Sequence, residues 1–127
     1  LRFSSEDQKN AAQTRLEEIA SHPLPQTSSE LKVNDIMPVM ADRESNRQLL
    51  RAYSQVSVDL EGPALVSAPS AERGGADISY VNQYVTSSLD GLGAWGKAAH
   101  SENESIDLAS LPVVTKRAAI FMSRYGK

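Results

Sequence analysis

The sequence predicts an α/β fold with at least partly parallel strands. Helical and strand-like patterns alternate along most of its 127 residues, and that alternation is typical of this class. Four segments repeat apolar residues at helical spacing, and three short apolar runs lie beside them. The chain has the length of one domain, and its 40% hydrophobic and 23% charged residues are ordinary for a globular protein.

The first predicted helix has clear signals at both ends. Ser4 and Ser5 are candidate N-caps, and Asp7 and Gln8 follow three residues later in the capping-box position. We expect the helix to stop before Pro23, because a proline disfavours helical backbone at the residue ahead of it. The sequence therefore predicts one helix that begins near residue 5 and ends near residue 22.

Strand-like segments flank this helix. Leu1–Phe3 has the pattern of the last residues of a strand whose beginning is missing, and Leu31 and Val33 alternate with polar residues. Such alternation predicts a half-buried strand at about 29–36. The first 40 residues are thus expected to form a strand–helix–strand unit, and the shortened first strand suggests a piece of a longer protein.

The remainder predicts three helices with strands between them. Asp42 or Ser45 can cap the first of these helices, Glu61–Pro63 ends it, and Ala64–Ala68 is a short apolar strand. Its apolar face consists of Leu49, Tyr53, Val56 and Leu60. A helix with Ile78, Val81 and Val85, a strand-like stretch to Leu89 and Leu92, and a helix from Ser110 follow. Leu111, Val114, Ala118, Phe121, Met122 and Tyr125 give that last helix a broad apolar stripe.

Composition excludes several functional classes. With 13 basic and 16 acidic residues the net charge is -3, whereas a nucleic-acid module usually carries a basic excess. No apolar run approaches the roughly 20 residues that a membrane-spanning helix needs. The absence of cysteine excludes disulfides and thiolate metal sites. Any metal site must therefore use the two histidines, carboxylates or residues from elsewhere.

The segment around His100 carries the most chemical information. A glycine-rich run ends at this histidine, and Glu102, Glu104 and Asp107 follow within seven residues. Neutral imidazole is a good zinc ligand, and a neighbouring carboxylate can orient its ring. The alternative is a surface loop with a solvated histidine, since one histidine cannot supply the roughly three protein ligands of a catalytic zinc. His22, in the proline-rich connector, is expected to be solvated or to act as a cap.

The order of motifs resembles one family. The run 74–77, Gly-Gly-Ala-Asp, precedes a strand, a glycine-rich segment, the pattern His100-Ser-x-Asn-Glu-x-x-Asp107 and a proline-containing terminal helix. Over essentially the whole chain this is similar to the C-terminal third of the co-catalytic zinc peptidases that include glutamate carboxypeptidase, aminoacylase and acetylornithine deacetylase. The resemblance implies that residues 1–41 end an α+β lid, which is also the dimerisation domain. Residues 42–127 would then be the C-terminal part of an αβα catalytic domain.

The resemblance also implies roles for single residues. His100 matches a histidine that ligates one of two zinc ions. The family has a glycine–aspartate turn beside the active site, which is matched by Gly74, Gly75 and Asp77. It also has two acidic residues with supporting or structural roles, which are matched by Glu104 and Asp107. The other ligands and the general-base glutamate belong to an N-terminal half that this chain lacks, so we expect the segment to be inactive alone.

Substrate and partners follow from the same resemblance. It implies hydrolysis of the amide bond in small peptides or N-acyl amino acids, by a homodimer. The net charge and the lack of a long apolar run predict neither a nucleic-acid nor a membrane partner. Several carboxypeptidases of the family bind the substrate carboxylate through an arginine just before the proline that ends the lid, and Met37 stands at that position. Met37 therefore argues against this kind of carboxylate binding and leaves aminoacyl compounds and dipeptides as candidate substrates. Many bacterial relatives are exported, which favours the periplasm or secretion, with the cytoplasm as the alternative. The alternative function is a non-catalytic dimerisation or interaction module of the same fold.

Overall fold

The computed structural model describes residues 1, 3–34, 37–69 and 75–125. Within these ranges the chain forms four helices and one small antiparallel hairpin. In chain order the elements are α1 (Glu6–Ser21), α2 (Glu44–Asp59), α3 (Ile78–Val81), β1 (Gly96–Lys97), β2 (Ser105–Ile106) and α4 (Ser110–Tyr125). This is too little sheet to confirm or refute the α/β architecture, which stays a prediction. None of the helices in the described ranges is long and apolar enough to cross a membrane.

Helix α1 begins and ends as the sequence predicts. The Ser5 hydroxyl accepts a hydrogen bond from the Gln8 backbone N–H at 3.2 Å, and the Gln8 side-chain oxygen accepts one from the Ser4 N–H at 3.1 Å. The first contact satisfies the Gln8 N–H, which the first helical turn leaves without a partner, and the second holds the residue just before the cap. The helix ends at Ser21, ahead of Pro23, so both the predicted cap and the predicted stop are confirmed.

The strand predicted at 29–36 is wrong over the part that the structure describes. Residues 29–34 are irregular, and Leu31 and Val33 are exposed. Asp35 and Ile36 lie outside the described residues. Alternating apolar residues can place their side chains on one face of a segment. A strand also needs a neighbouring strand that pairs with its backbone N–H and C=O groups.

The strand predicted at 64–68 is wrong as well. Residues 64–68 are irregular, and Val66 is 86% exposed. The stretch that reaches Leu89 and Leu92 contains no strand either. A four- or five-residue apolar run therefore did not identify a buried strand here, which agrees with the weak information in such short runs.

The chain divides into two compact units. The first contains residues 1–43 and 68–88, and the second contains residues 44–67 and 89–127. Helices α1 and α3 belong to the first unit, whereas α2, the hairpin and α4 belong to the second. The domain boundary predicted between residues 41 and 42 stays a prediction.

In the first unit, Val39 is held through its backbone. Its N–H donates a hydrogen bond to the Glu6 carboxylate at 3.1 Å, and its carbonyl accepts one from the Gln83 amide at 3.1 Å. Hydrogen bonds to the Glu6 carboxylate from Lys9 and from the Val39 N–H hold the pKa of Glu6 below its usual value. The contacts join α1 to the segment that follows α3.

Helix α3 is shorter than predicted and buries a different face. Val81 and Val85, which the sequence analysis places on the apolar face, are exposed, while Asn82 is fully buried. The Arg43 guanidinium donates to the Asn82 carbonyl at 2.9 Å, and the Ser88 hydroxyl donates to the Asn82 side-chain oxygen at 2.8 Å. Polar contacts thus decide the orientation of this segment, because a buried amide needs hydrogen-bond partners.

In the second unit, α2 packs against α4. Tyr53 and Val56 of α2 are each 1% exposed, and Val114 of α4 is buried beside them. The Tyr53 ring meets the Phe121 ring edge to face, with centroids 5.1 Å apart and planes at 80°. Edge-to-face contact is a favoured geometry for aromatic pairs. The burial of Tyr53 and Val56 that helical spacing predicts is confirmed.

The apolar stripe predicted for α4 is buried only in part. Val114 lies in the core, but Leu111 is 40% and Met122 is 64% exposed. The spacing predicts Leu111, Ala118 and Met122 as core, and this prediction is wrong for Leu111 and Met122. Tyr125, at the end of the same stripe, is 56% exposed.

The end of α2 contains a left-handed residue that is not glycine. Glu61 has a φ of 59°. The Glu61 N–H donates to the Val58 carbonyl at 2.9 Å, and the Gly62 N–H donates to the Ser57 carbonyl at 2.8 Å. This is the hydrogen-bond pattern of a Schellman motif, in which glycine is the usual left-handed residue.

Substituting Glu61→Gly should stabilise the protein. A side chain with a Cβ is strained at this φ, and relief of that strain exceeds the added flexibility of the unfolded chain, so we expect the free energy of unfolding to rise by about 1 kcal/mol. Urea unfolding measures the change. Glu61→Ala is the matched control, because it removes the same charge and keeps the Cβ. Equal stability of the Gly and Ala variants would contradict the prediction.

Candidate functional site

The glycine-rich segment before His100 folds into the β1–β2 hairpin. Gly96 pairs with Ile106, and Lys97 pairs with Ser105. A Cβ on Gly96 would lie 2.5 Å from the Ser105 carbonyl oxygen, so only glycine allows the two backbones to approach this closely. The sequence pattern did not predict this pairing. The signal was Gly96 itself, since glycine within a strand often marks a close approach of another backbone.

His100 lies in the turn that joins the two strands. Its φ is 64°, a left-handed conformation that is uncommon outside glycine, and the residue is exposed. The His100 N–H donates to the Glu104 carboxylate at 3.1 Å, and the Glu104 N–H donates to the Ser101 carbonyl at 3.0 Å. These bonds fix the backbone beneath the histidine. The imidazole nitrogens make no hydrogen bond with the described residues.

The base of the hairpin is tied to the start of α4. The Ser110 hydroxyl accepts a hydrogen bond from the Trp95 N–H at 3.0 Å and donates one to the Asp107 carbonyl at 2.6 Å. The Asp107 carboxylate accepts a bond from the Ala109 N–H at 3.0 Å, as a residue at the start of a helix often does. The Asp107 carboxylate therefore has a structural role at the start of α4. The Ser110 contact was missed, because it joins residues that are 15 positions apart in the sequence.

The predicted glycine–aspartate turn lies in the first unit. Gly74 is outside the described residues, and Gly75 is exposed. A Cβ on Gly75 would lie 2.5 Å from the Met37 sulfur, so the thioether fills the space beside this glycine. Asp77 precedes α3 and is exposed, and its side chain makes no capping hydrogen bond.

The predicted site residues therefore fall into two sets. His100, Glu104 and Asp107 share the hairpin of the second unit, and Glu104 contacts the backbone of His100 rather than its ring. Gly75 and Asp77 belong to the first unit. In the part of the chain that the structure describes, no three His, Asp or Glu side chains form a group that could hold a metal ion. An exposed neutral imidazole fits one coordination position of zinc, and further ligands would have to come from elsewhere.

Contacts of the site residues thus favour a supporting role for Glu104 and a structural role for Asp107. The zinc-binding role of His100 and the substrate-facing roles of Gly75 and Asp77 stay predictions. Comparison of the chain with models of protein families, with curated proteins and with solved structures gives no match.

Proposed function

We propose that this chain is the C-terminal segment of a zinc-dependent exopeptidase or amidohydrolase, similar to glutamate carboxypeptidase, aminoacylase and acetylornithine deacetylase. The whole enzyme would hydrolyse the amide bond of small peptides or N-acyl amino acids. Residues 1–41 would end its lid and dimerisation domain, and residues 42–127 would complete its catalytic domain. The other zinc ligands and the general base would lie in polypeptide outside this segment.

The geometry of His100 carries the proposal. The residue stands in a two-stranded hairpin whose backbone is fixed by Glu104 and whose base is fixed by Ser110. Its imidazole is exposed and makes no hydrogen bond with the described residues, so a ring nitrogen is accessible to a metal ion. A metal ligand needs both qualities, a fixed backbone and a free donor atom, because coordination geometry tolerates little displacement.

The contribution of this segment to the reaction is positioning. When bound, paired zinc ions lower the pKa of a bound water and polarise the scissile carbonyl. His100 would supply one neutral nitrogen ligand, and Glu104 would hold the loop that carries it. The Gly75 backbone would lie beside the substrate, with the Met37 thioether against it. An apolar side chain at Met37 favours an uncharged group of the substrate there, such as the side chain of a dipeptide or an acyl chain.

Exposed apolar side chains support the proposal that this segment packs against further polypeptide. In the second unit Leu108 and Met122 are more than 60% exposed. In the first unit Ile19 is 57% and Leu24 is 75% exposed. Apolar surface of this kind is typical of interfaces. We assign the first-unit surface to the homodimer contact and the second-unit surface to the remainder of the catalytic domain.

Zinc content and hydrolysis by the full-length protein test the proposal. We expect the full-length protein to bind two zinc ions and to hydrolyse a panel of dipeptides and N-acyl amino acids, with loss of activity after chelation. The 127-residue chain, supplied with the same zinc, should show no turnover. A full-length protein without bound zinc or hydrolysis would contradict the proposal. Turnover by the isolated chain would contradict the statement that the other zinc ligands and the general base lie outside this segment.

The alternative is a non-catalytic dimerisation module. The exposed apolar residues of the first unit, such as Leu24, are the observation that favours it. A full-length protein that dimerises and binds no zinc would support this alternative. Zinc-dependent hydrolysis would exclude it.

A further inference from the structure

Asp90 and Gly91 form the one aspartate–glycine pair of the sequence. Each of the other aspartates precedes a residue with a large side chain, and no asparagine precedes a glycine. The pair lies in the irregular segment 87–92, which contains neither helix nor strand. Both residues are exposed, whereas Leu89 and Leu92 on either side are half-buried. The pair therefore lies at the surface between two residues that contact the protein.

The reactive atoms of this pair are unengaged in the part of the chain that the structure describes. The Asp90 carboxylate has no hydrogen-bond or ion-pair partner among those residues, and the Gly91 N–H donates to no acceptor there. Gly91 has a φ of 69°, and the space where a Cβ would stand is open. Since glycine lacks a side chain, its backbone nitrogen is open to approach and its dihedral angles are the least restricted. Nothing described therefore protects the Gly91 nitrogen from the carboxyl group beside it.

The two groups can close a five-membered ring. The Gly91 nitrogen attacks the carbon of the Asp90 side-chain carboxyl group, so that a carbon–nitrogen bond forms and a carbon–oxygen bond breaks. The carboxyl hydroxyl and the amide proton leave together as one water molecule, and the product is a cyclic imide. Such an intramolecular attack is favoured because the two reacting atoms are held close by the chain itself.

Hydrolysis of the cyclic imide completes the reaction. Water adds to one of the two ring carbonyls and breaks its bond to the Gly91 nitrogen. Opening at the side-chain carbonyl restores aspartate, whereas opening at the main-chain carbonyl gives isoaspartate, in which the chain continues through the former side chain. One water is lost and one is gained, so the reaction needs no oxidant, metal ion or enzyme.

We propose that Asp90 is a modification site, at which the chain isomerises spontaneously to isoaspartate through the Gly91 nitrogen. The product has one additional carbon atom in its main chain, directly before the glycine-rich run that leads into β1. Its negative charge is kept but moves to a carboxylate on the α-carbon. The inference uses only the chemistry of this pair, so it is independent of the zinc site and of the proposed function.

Isoaspartate mapping of the full-length protein tests the proposal. The folded protein is incubated for several weeks at neutral pH and physiological temperature, digested, and assayed with a methyltransferase specific for isoaspartate, and fragment mass spectrometry locates the residue. A sample digested without incubation corrects for isoaspartate formed during handling. The comparison is a synthetic peptide of residues 86–95, in which the pair has no folded structure around it.

Because the structure leaves the pair unengaged, we expect Asp90 to isomerise in the folded protein within about tenfold of its rate in the peptide. A factor of ten corresponds to about 1.36 kcal/mol between the native and the reactive conformation. A rate lower than that of the peptide by more than about tenfold, or isoaspartate mainly at another aspartate, would overturn the inference.

Asp90→Glu gives a second measurement. This substitution keeps the charge, but the ring would have six members and one further rotatable bond to fix, so total isoaspartate should fall at least about tenfold. Asp7→Glu is the matched control, since Asp7 is an exposed aspartate that precedes glutamine in the first turn of α1, and its substitution should leave total isoaspartate unchanged. Equal isoaspartate in Asp90→Glu and the unmodified protein would also contradict the proposal.

Discussion

Under the proposed function, replacing His100 with alanine in the full-length protein should reduce the bound zinc from two ions to one and lower kcat/KM at least about a thousandfold. Loss of a ligand removes Lewis-acid stabilisation worth several kcal/mol, and each 1.36 kcal/mol corresponds to a factor of about ten in rate. Stability should change little, because the residue is exposed and its only hydrogen bond to a described residue is made by its backbone N–H. Zinc analysis and steady-state kinetics measure the two effects.

His22→Ala is the control for that substitution. His22 follows α1, is exposed, and has its Nδ1 atom 2.9 Å from the Glu18 carbonyl oxygen. We expect full zinc content and near-normal kcat/KM for this variant. If His100→Ala and His22→Ala leave zinc content and kinetics equally unchanged, His100 is not a zinc ligand.

Replacing Tyr53 with alanine should lower the free energy of unfolding by about 3–5 kcal/mol, the usual cost of removing a buried aromatic ring. Tyr53 is 1% exposed and contacts both the Phe121 ring and the Arg117 guanidinium. Its removal leaves a cavity at the centre of the α2–α4 contact. Urea or thermal unfolding measures the loss.

Tyr53→Phe separates the ring from its hydroxyl. The hydroxyl is buried without a partner among the described residues, so in the isolated chain its removal should leave stability unchanged or slightly increased. A loss for Tyr53→Phe close to that for Tyr53→Ala would mean that the hydroxyl makes a bond essential to the core. That result would contradict our account of the α2–α4 contact.

The sequence predicted the elements that depend on local chemistry. Ser5 and Gln8 form the N-terminal contacts of α1, and Pro23 follows its end, because capping and proline effects act within a few residues. Tyr53 and Val56 were predicted as core from helical spacing, and both are buried. A helix contains its own hydrogen-bond partners, so its pattern is readable without knowledge of distant residues.

The elements that depend on distant contacts were not predicted. The alternation of Leu31 and Val33 contains no information about a pairing partner, and the described residues provide none. The burial of Asn82 depends on Arg43, which lies 39 positions away. Likewise, the β1–β2 pairing depends on the fit of Gly96 against Ser105. The sequence spacing predicted that His100 has carboxylates close by. The contact between the Glu104 carboxylate and the His100 backbone N–H could be found only in the structure.

The Ser110 hydroxyl that joins the hairpin to α4 has an evolutionary consequence. The hairpin is held by main-chain groups, by the hydroxyls of Ser101 and Ser110 and by the Glu104 carboxylate. The side chains of Lys97 and Glu102 make none of these contacts. Related sequences should therefore diverge freely at these two positions. They should retain serine or threonine at position 110, because only a hydroxyl there can serve both bonds.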